Sequence, residues 1–371
     1  MPLRIFLTSD LHLGMKFAGY PDVRSRLAEE RFLCLERLVA EATARACDLL
    51  VIAGDLFERV TVSRRDVERA AGSLARFGGK LAAVLPGNHD FLAPDDELWR
   101  RLRDAGGDRL LILAEARAEA LEHYDLPGVT LFPGPCTSKH SRVHAVAWVR
   151  EAASARAQGL GIGVAHGSVE GYSPDFAGDY FPMTVAELLE AGPRLWLVGH
   201  THVPFAASPL PGRLVLCAGT PEPDGFDCRH GGSASVVTVQ ESGDCSVESV
   251  RTGRFRFAEE AVSVRTRADL DALASRFPPE EAARTLLRVT LAGTLPGEEH
   301  AAVEEIRRDL ASRLLHLDWR AQGLRREIDA AAIDAEFPAG SFPHALLSAL
   351  AAREDGPAIR AAFEIMEEAR P

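Results

Sequence analysis

The chain has 371 residues, of which 46% are hydrophobic and 26% charged. That balance fits one large or two modest globular domains and excludes a collagen, a disordered chain and a small disulfide scaffold. The formal net charge of −12 argues against bulk electrostatic attraction to nucleic acid, since domains that grip DNA that way are usually basic.

The opening residues, MPLRIFLTSD, carry Asp10 and lack the layout of a signal peptide. No apolar run of about 18 residues occurs, so no membrane partner is expected. The six cysteines form no CxxC pair, and scattered thiols of this kind lead to the expectation of a reducing cytoplasm. Residues 3–7 read as a strand and 26–46 as a helix, with Phe32, Leu35, Leu38 and Val39 on one face. Residues 48–53 form a second strand, 64–77 a second helix, and 81–85 a third strand stopped by Pro86-Gly87. This alternation implies parallel pairing in a layered α/β fold. From residue 109 to 250 strands dominate. Residues 159–165 and 194–198 read as fully buried strands, and 214–216, 235–239 and 245–250 as a finishing antiparallel group. After residue 251 come a strand at 285–291, a helix at 298–314, short strands within 317–328, and a helical stretch at 343–368 broken near Gly356-Pro357. A boundary is expected near 252–262, giving domains 1–252 and 253–371. In residues 251–371, 17 Arg and no Lys face 21 Asp and Glu, so the tail is not a basic arm.

Five positions carry chemistry: Asp10-Leu11-His12, Gly54-Asp55, Gly87-Asn88-His89-Asp90, His166 and Gly199-His200-Thr201-His202. Each follows an apolar strand, where open α/β sheets build their sites. Taken singly, Asp10-Leu11-His12 reads as a helix cap, Gly54-Asp55 as a turn and His166 as a structural histidine. The order of all five is the signal. Aspartates, histidines and an asparagine amide without cysteine make a mixed N/O site for Mn²⁺, Fe²⁺ or Zn²⁺. So many donors exceed the needs of one ion and suit a pair bridged by a carboxylate.

This ordered set resembles the calcineurin-like metallophosphoesterases, whose fold is a four-layer β-sandwich flanked by helices. SDLHLG (9–14), AGDLFE (53–58), PGNHD (86–90), GHTHVP (199–204) and AGTPEPDGFD (218–227) look like the SbcD-type DNA repair nucleases. Leu291-Ala292-Gly293 and Phe337-Pro338-Ala339-Gly340-Ser341 look more loosely like their YhaO-type relatives. The resemblance implies one ion, most simply Mn²⁺, on Asp10, His12, Asp55 and His202, and a second on Asp55, Asn88, His166 and His200. It implies His89 as the catalytic residue that protonates the leaving oxygen, with Asp90 orienting its imidazole. Some relatives carry a functional His three residues after the bridging Asp, where this chain has Glu58. The implied function is a Mn²⁺-dependent DNA exonuclease, the nuclease subunit of an SbcC-like coiled-coil ATPase complex acting on DNA ends or hairpins, with a homodimer also open. The alternative is hydrolysis of a small phosphodiester or a phosphoprotein. The C-terminal domain is then a smaller α+β cap ending in partner-docking helices. Arg64-Arg65, Arg100-Arg101-Arg103, Arg307-Arg308 and Arg325-Arg326 read as a backbone grip or as solvated faces. Tyr172, Phe176, Tyr180 and Phe181 read as a stacking loop or as packing. His230, behind the Gly-Thr-Pro segment, has no assigned role.

Overall fold

In the computed structural model, which describes residues 2–155, 159–173, 175, 177–208, 210–353 and 356–368, two compact units divide the chain, Met1–Arg256 and Phe257–Pro371. The first begins β1 (Leu3–Thr8), α1 (Arg24–Ala44), β2 (Leu49–Ile52), α2 (Arg64–Leu74), β3 (Leu81–Val84), α3 (Glu97–Gly106), β4 (Leu110–Ile112). It continues β5 (Glu119–Ala120), β6 (Val129–Gly134), α4 (Val149–Ser154), β7 (Leu160–His166), α5 (Val185–Glu190), β8 (Leu195–Gly199), β9 (Phe205–Ala207), β10 (Leu214–Cys217), β11 (Ser233–Val239) and β12 (Cys245–Arg251). Local chemistry sets the helix starts. The Ser63 hydroxyl accepts from Asp66 N at the head of α2, and Thr184 and Glu187 form a reciprocal capping box on α5.

Two six-stranded sheets result, ordered β12-β11-β1-β2-β3-β4 and β5-β6-β7-β8-β10-β9. The strands β1 to β4 pair in parallel, as do β6, β7, β8 and β10. Alternate residues of these buried strands face opposite ways. Ile5, Leu7, Val51, Ala83, Val164 and Leu197 fill the space between the sheets. Phe6, Leu50, Ile52 and Val84 meet Phe32, Leu35, Val67 and Trp99 of α1 to α3, while Trp196 and Val198 meet Val149, Leu188 and Leu189 of α4 and α5. The order is therefore helix, sheet, sheet, helix: four layers. Each fully buried Val, Leu, Ile or Phe contributes about 1.5–3 kcal/mol.

One expectation needs correcting. Residues 214–216 do not join a finishing antiparallel group; β10 lies parallel to β8 in the second sheet, whereas β11 and β12 close the first sheet antiparallel to β1. Burial accounts for it: β10 is buried on both faces, as parallel strands are, while β12 exposes most of its residues at a sheet edge.

The second unit holds the three-stranded sheet β13 (Arg256–Val264), β14 (Thr285–Leu295), β15 (His316–Arg326), with α6 (Arg267–Ser275), α7 (Pro279–Ala282) and α8 (Ala301–Arg313). β14 and β15 run parallel across α8. Residues 317–328 thus belong largely to one long strand and not to several short ones. The closing helices α9 (Ala330–Glu336), α10 (Phe342–Ala351) and α11 (Gly356–Glu368) build a small core of their own from Ile333, Phe337, Leu347, Ile359 and Phe363. Among the described residues, no helix is long and apolar enough to cross a membrane.

Candidate metal centre

The site sits where β1, β2, β3, β7 and β8 end. Beyond β1 and β2 the backbone stays zipped: Asp10 N donates to Gly54 O (3.1 Å), His12 N to Asp55 O (3.0 Å) and Leu13 N to Leu56 O (2.9 Å). This brings two carboxylates and an imidazole together from two loops. Asp10 (φ 57°), His12 (49°), Asp55 (53°), His200 (98°) and His202 (58°) all adopt the left-handed region. Such conformations cost about 1–3 kcal/mol each and cluster at functional sites. Two glycines make the close approach possible. A Cβ on Gly54 would collide with the His166 ring, and one on Gly87 with the Asp55 carboxylate.

All seven sequence-predicted ligands converge. His166 Nε2 lies 3.2 Å from Asp55 Oδ2 and 3.0 Å from Asn88 Oδ1, which is also 3.1 Å from His200 Nδ1. On the other side His12 Nε2 lies 3.0 Å from His202 Nε2 and 3.7 Å from Asp55 Oδ2, and His202 Nε2 is 3.8 Å from Asp10 Oδ1. Donor atoms of Asp10, His12 and His202, and separately of Asp10, Asp55 and His166, lie within 4.8 Å of one another. The far nitrogens are committed elsewhere. His12 Nδ1 meets Glu58 Oε2 at 3.0 Å, His202 Nδ1 meets Asp224 Oδ2 at 2.8 Å, and His166 Nδ1 donates to Ala53 O at 2.9 Å. Each ring therefore turns its Nε2 lone pair inward, the arrangement that carboxylate-held metal histidines use. Two lone pairs 3.0 Å apart call for a cation or a shared proton between them, so this donor set fits borderline divalent ions.

Electrostatics agree. Burial would raise the Asp55 carboxyl, but His166 above all, then His12 and His89, hold it far below the ordinary range. Burial opposes charge on His166 and His202, yet Asp55 in one case and Asp224 in the other lift each to about 9. Burial and the neighbouring His166 bring His200 down to about 4.

His89 lies beside the candidate ligands, where a nitrogen of its ring forms a third group within 4.8 Å with donor atoms of His12 and Asp55. Its backbone N donates to Asp55 Oδ1 (2.9 Å), its Nδ1 to Glu58 O (3.2 Å), and its ring packs edge-on against His12 at 4.7 Å. Burial lowers its pKa. Asp90 does not orient it. Both Asp90 oxygens are taken by backbone, Gly87 N at 2.7 Å and Phe57 N at 2.9 Å, so this buried carboxyl shapes the turn that carries Asn88 and His89. Glu58 occupies the orienting place instead, with its Oε2 3.8 Å from His89 Nδ1.

Glu58 and Asp224 are thus supporting residues without a sequence-stated role; a carboxylate inside each of the AGDLFE and AGTPEPDGFD segments is the signal that points to them. His230 donates from Nε2 to His202 O at 2.7 Å and braces that loop. In the aromatic loop, Tyr180 lies 5.0 Å from His200, Tyr172 stacks on Phe205 at 4.4 Å and Phe181 is buried; Phe176 lies outside the described residues. The arginine pairs behave as solvated faces: Arg64, Arg101, Arg307 and Arg326 pair with Glu68, Glu97, Glu304 and Glu336. A cavity of about 1300 Å³ adjoins His200 and His202, and Glu170, Tyr172, Asp224 and Asp227 are among its lining residues.

Comparison with known proteins places these features in a family. The profile of the calcineurin-like phosphoesterases matches residues 3–204. The uncharacterized metallophosphoesterase YhaO of Bacillus subtilis (strain 168) is 23% identical over 315 residues, covering 78% of this chain and 71% of its own. Two solved structures are similar at low levels. TT1561 of Thermus thermophilus gives a TM-score of 0.45 at 15% identity, and a dimetal phosphatase from Danio rerio gives 0.42 at 11%; each covers 68% of this chain and 100% of its own.

Proposed function

The chain belongs to the calcineurin-like phosphoesterases, hydrolases of phosphoester bonds, and from that membership we propose that it is a two-cation phosphodiesterase that processes DNA ends or hairpins as the nuclease subunit of an SbcC-like ATPase complex. The observation that carries the chemistry is the convergence of Asp10, His12, Asp55, Asn88, His166, His200 and His202 at one point, with the His89 imidazole close beside His12 and Asp55. Asp10, His12, Asp55 and His202 would hold one cation, and Asp55, Asn88, His166 and His200 the other, most simply Mn²⁺. When bound, such ions supply Lewis acidity toward a phosphoryl oxygen and a lowered pKa for the attacking water.

The protein's own groups do the rest. Asp55, fixed by the His89 backbone N–H, spans both donor groups. Glu58 and Asp224 hold His12 and His202 in the tautomer whose Nε2 faces inward. His89 anchors Nδ1–H on the Glu58 carbonyl and, when protonated, presents Nε2–H to the departing oxygen. The Glu58 carboxylate, 3.8 Å away, stabilises the imidazolium. The DNA reading is supported by the SbcD-type motifs and by a cavity beside the donors larger than a small ligand usually needs. The acidic surface suits this reading if the ATPase supplies much of the DNA grip. Acidic residues along the cavity, Glu170, Asp224 and Asp227 among them, repel a polyanion more than a singly charged molecule and keep a second reading in play, a small phosphodiester substrate.

An assay on linear, hairpin and circular DNA, with Mn²⁺ against Mg²⁺ and bis-p-nitrophenyl phosphate in parallel, separates them. Degradation of linear or hairpin DNA is expected. Hydrolysis of the small diester alone would leave the second reading in possession.

A further inference from the structure

A buried charge in the first unit that neither packing nor the chemistry above explains is that of Arg31. It lies on α1 with 1% exposure, among the apolar residues Leu27, Cys34, Leu35 and Leu38 of the same helix. A buried guanidinium stabilises a fold less than an apolar side chain of similar volume, unless it is fully paired. This one is not, for its Nε and Nη2 lack hydrogen-bond partners. What it touches is informative. Nη1 donates to Leu11 O at 3.2 Å, between Asp10 and His12, and lies 3.4 Å from the Thr220 hydroxyl. Nη2 faces Asp224 Oδ2 at 3.7 Å, and the guanidinium stands over the Phe17 ring at 5.6 Å. Thr220 in turn reaches Asp10 O through its hydroxyl (3.0 Å) and His202 O through its backbone N (3.0 Å). Asp224 holds His202 Nδ1. The threads through Leu11, Thr220 and Asp224 end on Asp10, His12 and His202, of which Asp10 alone also reaches the other side, its carboxylate accepting from His200 N at 3.0 Å. None of these Arg31 contacts involves Asn88, His166 or His200.

We propose that Arg31 is a positioning residue for one cation position, the one assigned to Asp10, His12, Asp55 and His202, and that it makes no direct contact with Asn88, His166 or His200 of the other. The planar fork lets a single group span the backbone of the first ligand loop, Thr220 and Asp224, which a lysine ammonium cannot do with the same geometry. The inference rests on the two-cation reading.

Calorimetric titration of the metal-free full chain with Mn²⁺ tests both and keeps them apart. Two binding events in the unaltered protein are required by the two-cation reading, and a single event or none would overturn that reading. Given two, Arg31→Met should weaken one by about 10–100-fold, the usual cost of removing an outer partner of a metal ligand, and leave the second unchanged. In the His202→Ala background, Arg31→Met should add little further loss, because both act on the same position. Arg31→Lys, which keeps the charge without the fork, should fall between the unaltered protein and Arg31→Met at the same position. It carries the test alone if Arg31→Met does not fold. Arg37→Met serves as control. Arg37 sits on the same helix, pairs with Glu30 at 2.6 Å and Glu222 at 3.5 Å, and should leave both affinities as they are. Equal weakening of both positions, or no change in Arg31→Lys and Arg31→Met alike, would overturn the assignment.

Discussion

The pair His12 and His202 shows how single residues turn a protein interior into a cation site. Each ring gives its Nδ1 to a carboxylate and faces the other through Nε2, so protons and metal ions compete for the same lone pairs. The competition has a sign. Without metal, His166 and His202 are held protonated up to about pH 9, by Asp55 and Asp224 respectively, while His200, at about 4, is already neutral. A cation can bind only after the two rings lose their protons. Metal affinity should therefore rise with pH toward about 9 and level off above it, with about one proton released per cation near neutral pH. Calorimetry in buffers of different ionisation heat measures that release, and binding without proton release would contradict the assignment. His89 behaves differently, because its Nδ1 is spent on the Glu58 carbonyl and it is no ligand in the proposed scheme. His89→Gln should keep both cations by elemental analysis yet lose about 10²–10⁴-fold in activity, the range of general acid–base help. An aryl leaving group should recover part of the loss because it departs without a proton. Loss of metal in this variant would move His89 into the ligand set.

At the scale of elements, the site depends on loops that run on from the strand ends in register. The turn after β3 is tight, since Gly87 passes the Asp55 carboxylate with no room for a side chain. Gly87→Ala should displace that carboxylate and cost about 1–3 kcal/mol by overpacking. Metal content should drop below two ions per chain while the far-ultraviolet spectrum stays native; full retention of two ions would show that Asp55 does not span both positions. Elements and ligands were legible to different degrees in the sequence. The strands and the loops that bring the candidate donors together could be read, because apolar runs end at Gly or Asp-His signals. The partners of the supports could not, because they lie distant in sequence. Arg31 reaches Thr220 and Asp224 across about 190 positions, a relation no spacing rule contains. One local signal did exist. Arg31 stands four residues before Leu35 and seven before Leu38, on the apolar face of α1, where a charge is out of place. Glu58 was visible only as a departure from a histidine, and its tie to His12 needed the fold. The placement of β10 failed for another reason: a short apolar strand carries no mark of which sheet it joins.

The whole molecule combines a sandwich that carries every proposed ligand with a second unit that carries none. Within the second unit the apolar residues fall into two separate cores. Val264, Leu270, Val289, Leu291 and Leu310 bind β13 to β15 with α6 and α8, whereas Ile333, Phe337, Leu347, Ile359 and Phe363 hold α9 to α11 to one another. The tail thus buries its apolar stripes in its own three-helix core. It still leaves Phe342 at 72% and Ile365 at 62% exposure, large side chains that a monomer gains little by showing to water. Because the cores are distinct, truncation after Glu327 removes the helices as a set, whereas a cut after Phe337 would strand Ile333 and Phe337 without their partners. The chain cut after Phe337 should therefore aggregate more readily than the one cut after Glu327. The chain ending at Glu327 should remain folded, keep its cation stoichiometry and hydrolyse bis-p-nitrophenyl phosphate at the rate of the full chain. If α9 to α11 are the docking element of the proposed ATPase complex, it should also fail to co-purify with an SbcC-like coiled-coil partner, and Phe342→Ser with Ile365→Ser in the full chain should weaken that association without unfolding the helices. Undiminished association in the truncated chain would show that the partner is held elsewhere, and that the three helices serve only to close the end of the second unit.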